Sequence, residues 1–249
     1  MIRRIILLIV CSLTATAVYA QSTSVRISHA GRIFDLESDP VSDTLYTSGA
    51  DGTVRHWSTS PAELLAEYQI SHNPVTQLAI HPERPLVAAL ATDRRRNHIL
   101  HIWDVEREEE VARRYLEEEP LFIRYSPTGR YLIYATADFR SLHTLDGIRG
   151  NPLPYLQLPL GLVNYVLFST SENTAVAYTP ASGVFRYLEV RSGDETRSVR
   201  SVRNLEHLSV LSERKRNVVA KLGDELVVVD IYTGEQRDAV FIPGIESIT

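Results

Sequence analysis

The chain has 249 residues, with 26 Lys+Arg against 31 Asp+Glu and a net charge of −5. That balance argues against a phosphate-binding surface, which needs a basic surplus, so no nucleic-acid partner is expected. At 44% hydrophobic and 23% charged the chain can bury a large core, which excludes a disordered polymer and a multi-span membrane protein.

The first 20 residues read as a targeting segment. Arg3 and Arg4 form a positive start, and Ile5 to Leu13 form an apolar stretch. Val18-Tyr19-Ala20 places small residues where a signal peptidase reads, ahead of Gln21. The apolar stretch is shorter than the roughly 20 residues of a spanning helix. A cleaved signal is therefore expected, giving an exported domain, residues 21–249, that is periplasmic or secreted from a bacterium. An uncleaved N-terminal anchor is the alternative. Cleavage would leave 24 basic against 31 acidic groups, a net charge of −7, and no transmembrane segment. Cys11, the single cysteine, would leave too. The mature chain would then have no disulfide, thiolate metal site or cysteine nucleophile.

The remainder repeats itself. Short β-rich runs align on Trp57, Trp103, Leu145, Leu188 and Val229, with spacings of 46, 42, 43 and 41 residues. Such a period, with several strands in each, points to propeller blades built from four antiparallel strands. The first unit (31–70) places strands at 32–37, 44–48, 53–58 and 64–70, with a turn at Asp51-Gly52. The second (71–116) places them at 75–80, 86–91, 98–105 and 110–116, where a short helix over 106–115 is the runner-up. The third (120–158) has 121–125, 131–136, 141–145 and 153–158, with the turn Ser126-Pro127-Thr128-Gly129. The fourth (162–203) has 162–168, 174–178, 184–190 and 196–202, and the fifth (205–243) has 206–211, 218–222, 226–231 and 238–242. Runs such as Leu86-Val87-Ala88-Ala89-Leu90 are apolar on both faces, as strands covered on both sides require.

At this point the chain resembles a WD-repeat β-propeller. The first unit carries the family pattern: His29 at its opening, Ser48 in the second strand, Asp51 in the tight turn and Trp57 in the third strand. The second repeats it with His72, Thr92, Asp93 and Trp103-Asp104, but inserts four residues around Arg94-Arg95-Arg96-Asn97. The third matches over Ser126 to Asp138, without an opening His and with Leu145 in place of Trp. The last two units keep only the hydrophobic outline. The resemblance implies an all-β propeller of about five blades. It also implies a structural role for the His–Ser/Thr–Asp–Trp set, in which each buried polar group satisfies the next. A Ser–His–Asp hydrolase triad is rejected here because the set recurs in two units, whereas one active site needs one copy.

Other candidate chemistry is weaker. His98 and His101 point to opposite faces of one strand, and no metal ligand set or cofactor is expected. The runs Glu108-Glu109-Glu110 and Glu117-Glu118-Glu119 read as solvated charge rather than glycosidase carboxylates. Arg94-Arg95-Arg96 sits in an enlarged turn, and arginine forks bind carboxylate or phosphate, so this loop is the candidate partner contact.

Ring closure stays open in the sequence. Residues 23–28 and 244–249 supply about two strands, compatible with a five-bladed ring with short ends, an open ring or a truncated chain. An open ring would invite self-association. The expected function is a non-enzymatic scaffold that binds a protein or peptide outside the cytoplasm. The alternative is an exported enzyme, or a small-ligand or metal sensor, using the central channel.

Overall fold

The structure is a computed structural model that describes residues 27–39, 41–136, 142–153, 165–169, 171–210 and 216–244. The expected leader (1–20), the end segment 23–26, the turn residue Asp138 and the last residues 245–249 lie outside the described residues. All regular elements among the described residues are strands, gathered into five four-stranded antiparallel sheets. Blade one holds β1 (Ile33–Ser38), β2 (Thr44–Gly49), β3 (Thr53–Thr59) and β4 (Ala62–Gln69). Blade two holds β5 (Val75–Ile80), β6 (Leu86–Thr92), β7 (His98–Asp104) and β8 (Glu109–Leu116). Blade three holds β9 (Pro120–Tyr125), β10 (Tyr131–Thr136), β11 (Leu142–Asp146) and β12 (Pro152–Leu153). Blade four holds β13 (Tyr165–Phe168), β14 (Thr174–Thr179), β15 (Val184–Glu189) and β16 (Glu195–Arg200). Blade five holds β17 (Glu206–Val210), β18 (Asn217–Leu222), β19 (Glu225–Asp230) and β20 (Gln236–Phe241). The helix considered over 106–115 does not form. Glu109–Leu116 pairs with β7, because alternating exposure along β8 suits a strand at the outer edge of a sheet.

The sheets stack face to face through apolar seams. Val54 and Tyr68 of blade one meet Val87, Ala89 and Trp103 of blade two. Leu100 and Ile102 then meet Ile123, Leu132 and Leu145 of blade three. Ile133 and Leu142 meet Val166, Phe168 and Leu188 of blade four, and Tyr178, Phe185 and Tyr187 meet Val218, Val227 and Val229 of blade five. Strand β6 is buried on both faces from Leu86 to Ala91, which explains its unbroken apolar run. Burying one such Leu or Ile is worth about 2 kcal/mol, so each seam outweighs any single hydrogen bond in it. Four of the five aligned residues face backwards along the chain order: Trp103, Leu145, Leu188 and Val229 each pack on the preceding blade. A register shift falls immediately before Trp57, Trp103, Leu188 and Val229, so the repeat is carried down to the pleat. Among the described residues, no hydrogen bond or core cluster joins blade five to blade one.

The turn between third and fourth strands repeats as well. The carboxylates of Asp104, Asp146 and Asp230 each accept from the two amides two and three residues ahead, at 2.7–3.3 Å. The fifth residue of the turn takes a left-handed conformation, supplied by Gly150, Gly193 and Gly234 and, in blade two, by Glu108 (φ 54°). A Cβ on Gly234 would stand 2.1 Å from the Arg200 carbonyl oxygen. Replacing Glu108 with Gly is therefore expected to stabilise the domain by about 0.5–1 kcal/mol, while Gly234→Ala destabilises it by more than 1 kcal/mol. Urea unfolding midpoints of the two variants check both signs.

Candidate functional site

The best-defined polar site lies at one rim of blade one. His29 Nδ1 stands 3.0 Å from Asp51 Oδ1, and its Nε2 stands 2.8 Å from the Thr47 hydroxyl. The Trp57 indole N–H donates to that same hydroxyl at 2.9 Å. Every proton then has one place: Trp57 N–H to Thr47, Thr47 O–H to His29 Nε2, and His29 Nδ1–H to Asp51. The Ala30 amide and the Thr53 amide and hydroxyl also donate to Asp51, at 2.7, 3.2 and 2.8 Å. Burial pushes the Asp51 carboxyl up, but the bonds from His29, Thr53 and Ala30 outweigh it and hold it far below the usual carboxylate range. Gly49 is needed here, because a Cβ on it would lie 2.3 Å from His29 Nδ1.

This site corrects the sequence reading in two respects. The hydroxyl is Thr47, not Ser48. In β2 the residue that shares a face with Trp57 is Thr47, two along from Leu45, which pairs with Trp57; Ser48 faces the other way, buried and without a hydrogen bond. The second copy of the set does not assemble. His72 is exposed, and the position equivalent to Thr47 is Ala89, two along from Val87, which pairs with Trp103. The Trp103 indole N–H is consequently buried without a partner. Thr92 turns to His98 at 3.3 Å, and Asp93 spends its acceptors on the inserted turn, taking the Arg95 amide and both the amide and side chain of Asn97 at 2.8 Å.

Recurrence therefore no longer argues against a hydrolase triad; burial does. Thr47 and Thr53 are both buried, and so is the His29 side chain, so neither hydroxyl within reach of that imidazole is open to a substrate. The glutamate run also behaves differently from a solvated one. Glu110 Oε1 lies 2.6 Å from Nδ1 of the buried His101 and accepts from Arg113 at 3.0 Å. Arg94, Arg95 and Arg96 are exposed as expected, with Arg96 left-handed (φ 65°), and no ion pair ties them among the described residues.

A second polar group lies on the innermost strands, where β1, β5 and β9 run side by side. Asp35 Oδ2 accepts from the Leu78 amide at 2.8 Å, pinning blade one to blade two. Glu37 follows two residues later. Burial raises its carboxyl to about 7, the Asp35 charge adds to this, and Arg124 opposes it. These groups escaped the sequence reading because nothing in an isolated Asp-Leu-Glu marks it as lying where one blade meets the next. Among the described residues no three of His, Cys, Asp and Glu stand close enough to share a metal ion.

Two outcomes follow from this geometry. Thr47→Val should cost about 2 kcal/mol or more by orphaning the Trp57 and His29 nitrogens, while Ser48→Ala should be near neutral, as compared by urea denaturation. Glu37 ionises more readily unfolded than folded, so its cost is absent below about pH 4, grows as pH rises and is complete above about 7. Glu37→Gln should therefore raise stability at pH 8, by roughly 1–2 kcal/mol once solvent screening is allowed for, and leave it unchanged at pH 4. Thermal unfolding at the two pH values reads the difference.

Known proteins place this geometry. The profile of a family described as an N-terminal beta-propeller domain matches residues 11–240. A p21-activated protein kinase-interacting protein 1-like protein of Danio rerio is 27% identical over 120 residues, which are 48% of this chain and 31% of that protein. The chain thus matches under a third of that relative's length. The propeller domain of Cps50 (Swd1) from Myceliophteria thermophila superposes with a TM-score of 0.63 at 13% identity, covering 82% of this chain and 66% of that one. The last likeness is one of fold. With five radial sheets, the recurring back-facing residue and a family match over nearly its whole length, the chain belongs to the family of N-terminal beta-propeller domains and has the WD40-like architecture.

Proposed function

We propose that this domain is a non-enzymatic scaffold that holds a protein or peptide partner outside the cytoplasm. The observation that carries the reading is the fate of its polar groups. The most triad-like set, His29, Asp51 and Thr47, is sealed inside blade one with all its protons assigned, and the Asp104, Asp146 and Asp230 carboxylates are spent on turns. The turn Arg94-Arg95-Arg96 is, by contrast, exposed and unspent. A rigid frame presenting an unpaired arginine loop fits recognition of an acidic segment. The Danio rerio relative is by its name a kinase-interacting protein, which favours the same class. The export half of the reading rests on Arg3, Arg4, the apolar run from Ile5 and Val18-Tyr19-Ala20.

The second reading, a channel that senses a ligand or performs chemistry, has one observation in its favour: Glu37 changes charge near pH 7 beside Asp35 and across from Arg124. It predicts turnover or stoichiometric ligand in the purified protein.

Crosslinking in envelope extract tests the first reading. Wild type is expected to capture one recurrent partner in a salt-sensitive manner, and replacing Arg94, Arg95 and Arg96 with Glu should cut capture at least tenfold at unchanged thermal stability. No recurrent partner, or capture indifferent to the three charges, would count against it. A fusion of residues 1–26 to a phosphatase that is active only outside the cytoplasm should be active and should yield a mature chain starting at Gln21.

A further inference from the structure

The seam between blades one and two opens at one rim into a cavity of about 450 Å³. This rim carries the turns between first and second strands, at the opposite end of blade one from His29 and Asp51. Its back wall is the forward face of blade one, where Tyr46 and His56 pair across strands and stack with ring centroids 4.2 Å apart and planes parallel. Tyr68 of β4 stands beside them, and Ile80, Val87 and Val105 of blade two form the facing wall.

Two features set this cavity apart from an ordinary gap between sheets. Tyr46 and Tyr68 are only 4% and 7% exposed, yet both hydroxyls make no hydrogen bond among the described residues and both residues line the cavity. The rings are buried while the two hydroxyl oxygens reach the open space of the cavity, so both are free to accept from a group that enters it. The second feature is charge. Asp39, Glu83 and Glu106 line the mouth against the single Arg84, and among the described residues none of these four has an ion-pair partner. Asp39 offers one oxygen to the Val41 and Ser42 amides and keeps the other.

The imidazoles do not offset that charge. His81 Nδ1 accepts from the Glu83 and Arg84 amides at 3.1 Å, which requires an unprotonated nitrogen. Burial holds both His56 and His81 below their ordinary pKa, so both rings stay neutral at pH 7. Neutral stacked rings, two free hydroxyl oxygens and a surplus of carboxylates together favour a planar cation with several donors. Guanidinium fits better than ammonium, because it can lie over a ring face while its edge donates to oxygens.

We propose that the cavity between blades one and two receives an arginine side chain from the partner, with Tyr46 and Tyr68 accepting its N–H groups and Asp39, Glu83 and Glu106 supplying the counter-charge. This rests on the scaffold reading and adds a second, oppositely charged contact to the arginine loop of blade two. A partner that carried both an acidic segment and an arginine would then be read for orientation as well as for charge.

Titration of the full chain with acetyl-Gly-Arg-Gly-amide and acetyl-Gly-Glu-Gly-amide, followed by NMR of labelled tyrosine rings, tests it. The arginine peptide should shift the Tyr46 and Tyr68 signals saturably and the glutamate peptide should not. Combining Tyr46→Phe with Tyr68→Phe should weaken the arginine peptide at least tenfold. If that pair disturbs folding, the exposed changes Glu83→Gln and Glu106→Gln should each weaken it several-fold. Unmoved tyrosine signals, equal response to both peptides, or affinity indifferent to these variants would overturn the proposal. Failure here with partner capture intact removes the arginine site alone. Arginine binding without any captured partner removes the scaffold reading and leaves a bare cation site.

Discussion

A four-stranded sheet with apolar residues on both faces cannot stand alone in water, and that constraint organises this molecule. Blade two shows it most plainly. Strand β6 is buried on both sides, with Val87, Ala89 and Ala91 toward blade one and Leu86, Ala88 and Leu90 toward blade three. Each sheet therefore needs two neighbours, and radial stacking supplies them with short connections only. Cross-blade hydrogen bonds fix the azimuth of each sheet rather than the attraction between them: Asp35 to the Leu78 amide, Thr128 to Glu172, and the Tyr187 hydroxyl to the Ile231 carbonyl. The forward face of blade five and the back face of blade one are the two for which no seam joins described residues.

Polar groups then take one of two parts. Some are buried and must be closed off, as His29, Thr47, Trp57 and Asp51 are in blade one. The repeat does not enforce that closure everywhere. Blade two has Ala89 where blade one has Thr47, and its Trp103 instead pays in an unsatisfied N–H while its ring still fills the seam. The ring's packing is thus retained where its hydrogen bond is not, which ranks apolar contact above the polar chain in this scaffold. Other polar groups lie on loops and rims, and only those are available to a partner.

Much of this was legible beforehand, and the losses have specific causes. The 43-residue period and the aligned residues Trp57 to Val229 located all five sheets, because a repeated back-facing position leaves a repeated apolar residue. Thr47 and Ser48 are both hydroxyls, and the choice between them depends on the pairing of Leu45 with Trp57, which puts Thr47 on the indole's face. No local feature of the sequence shows that register. Asp93 matched the family's turn position, but four inserted residues brought Asn97 within its reach and spent its acceptors locally. Glu110 sat in a run that reads as solvent-facing, yet cross-strand pairing turned it toward buried His101. The Tyr46, Tyr68 and His56 cavity involves three strands and a neighbouring blade, so no linear pattern could announce it.

Native-state hydrogen exchange weighs most directly whether stacked sheets, rather than the polar chain at one rim, hold the domain together. The account predicts that amides of β6, β10 and β14, whose residues are buried on both faces, exchange only through global unfolding, while the outer strand β20 and the exposed end of β1 exchange through local opening. Strongest protection clustered around His29 and Asp51, with the seam strands opening first, would contradict it.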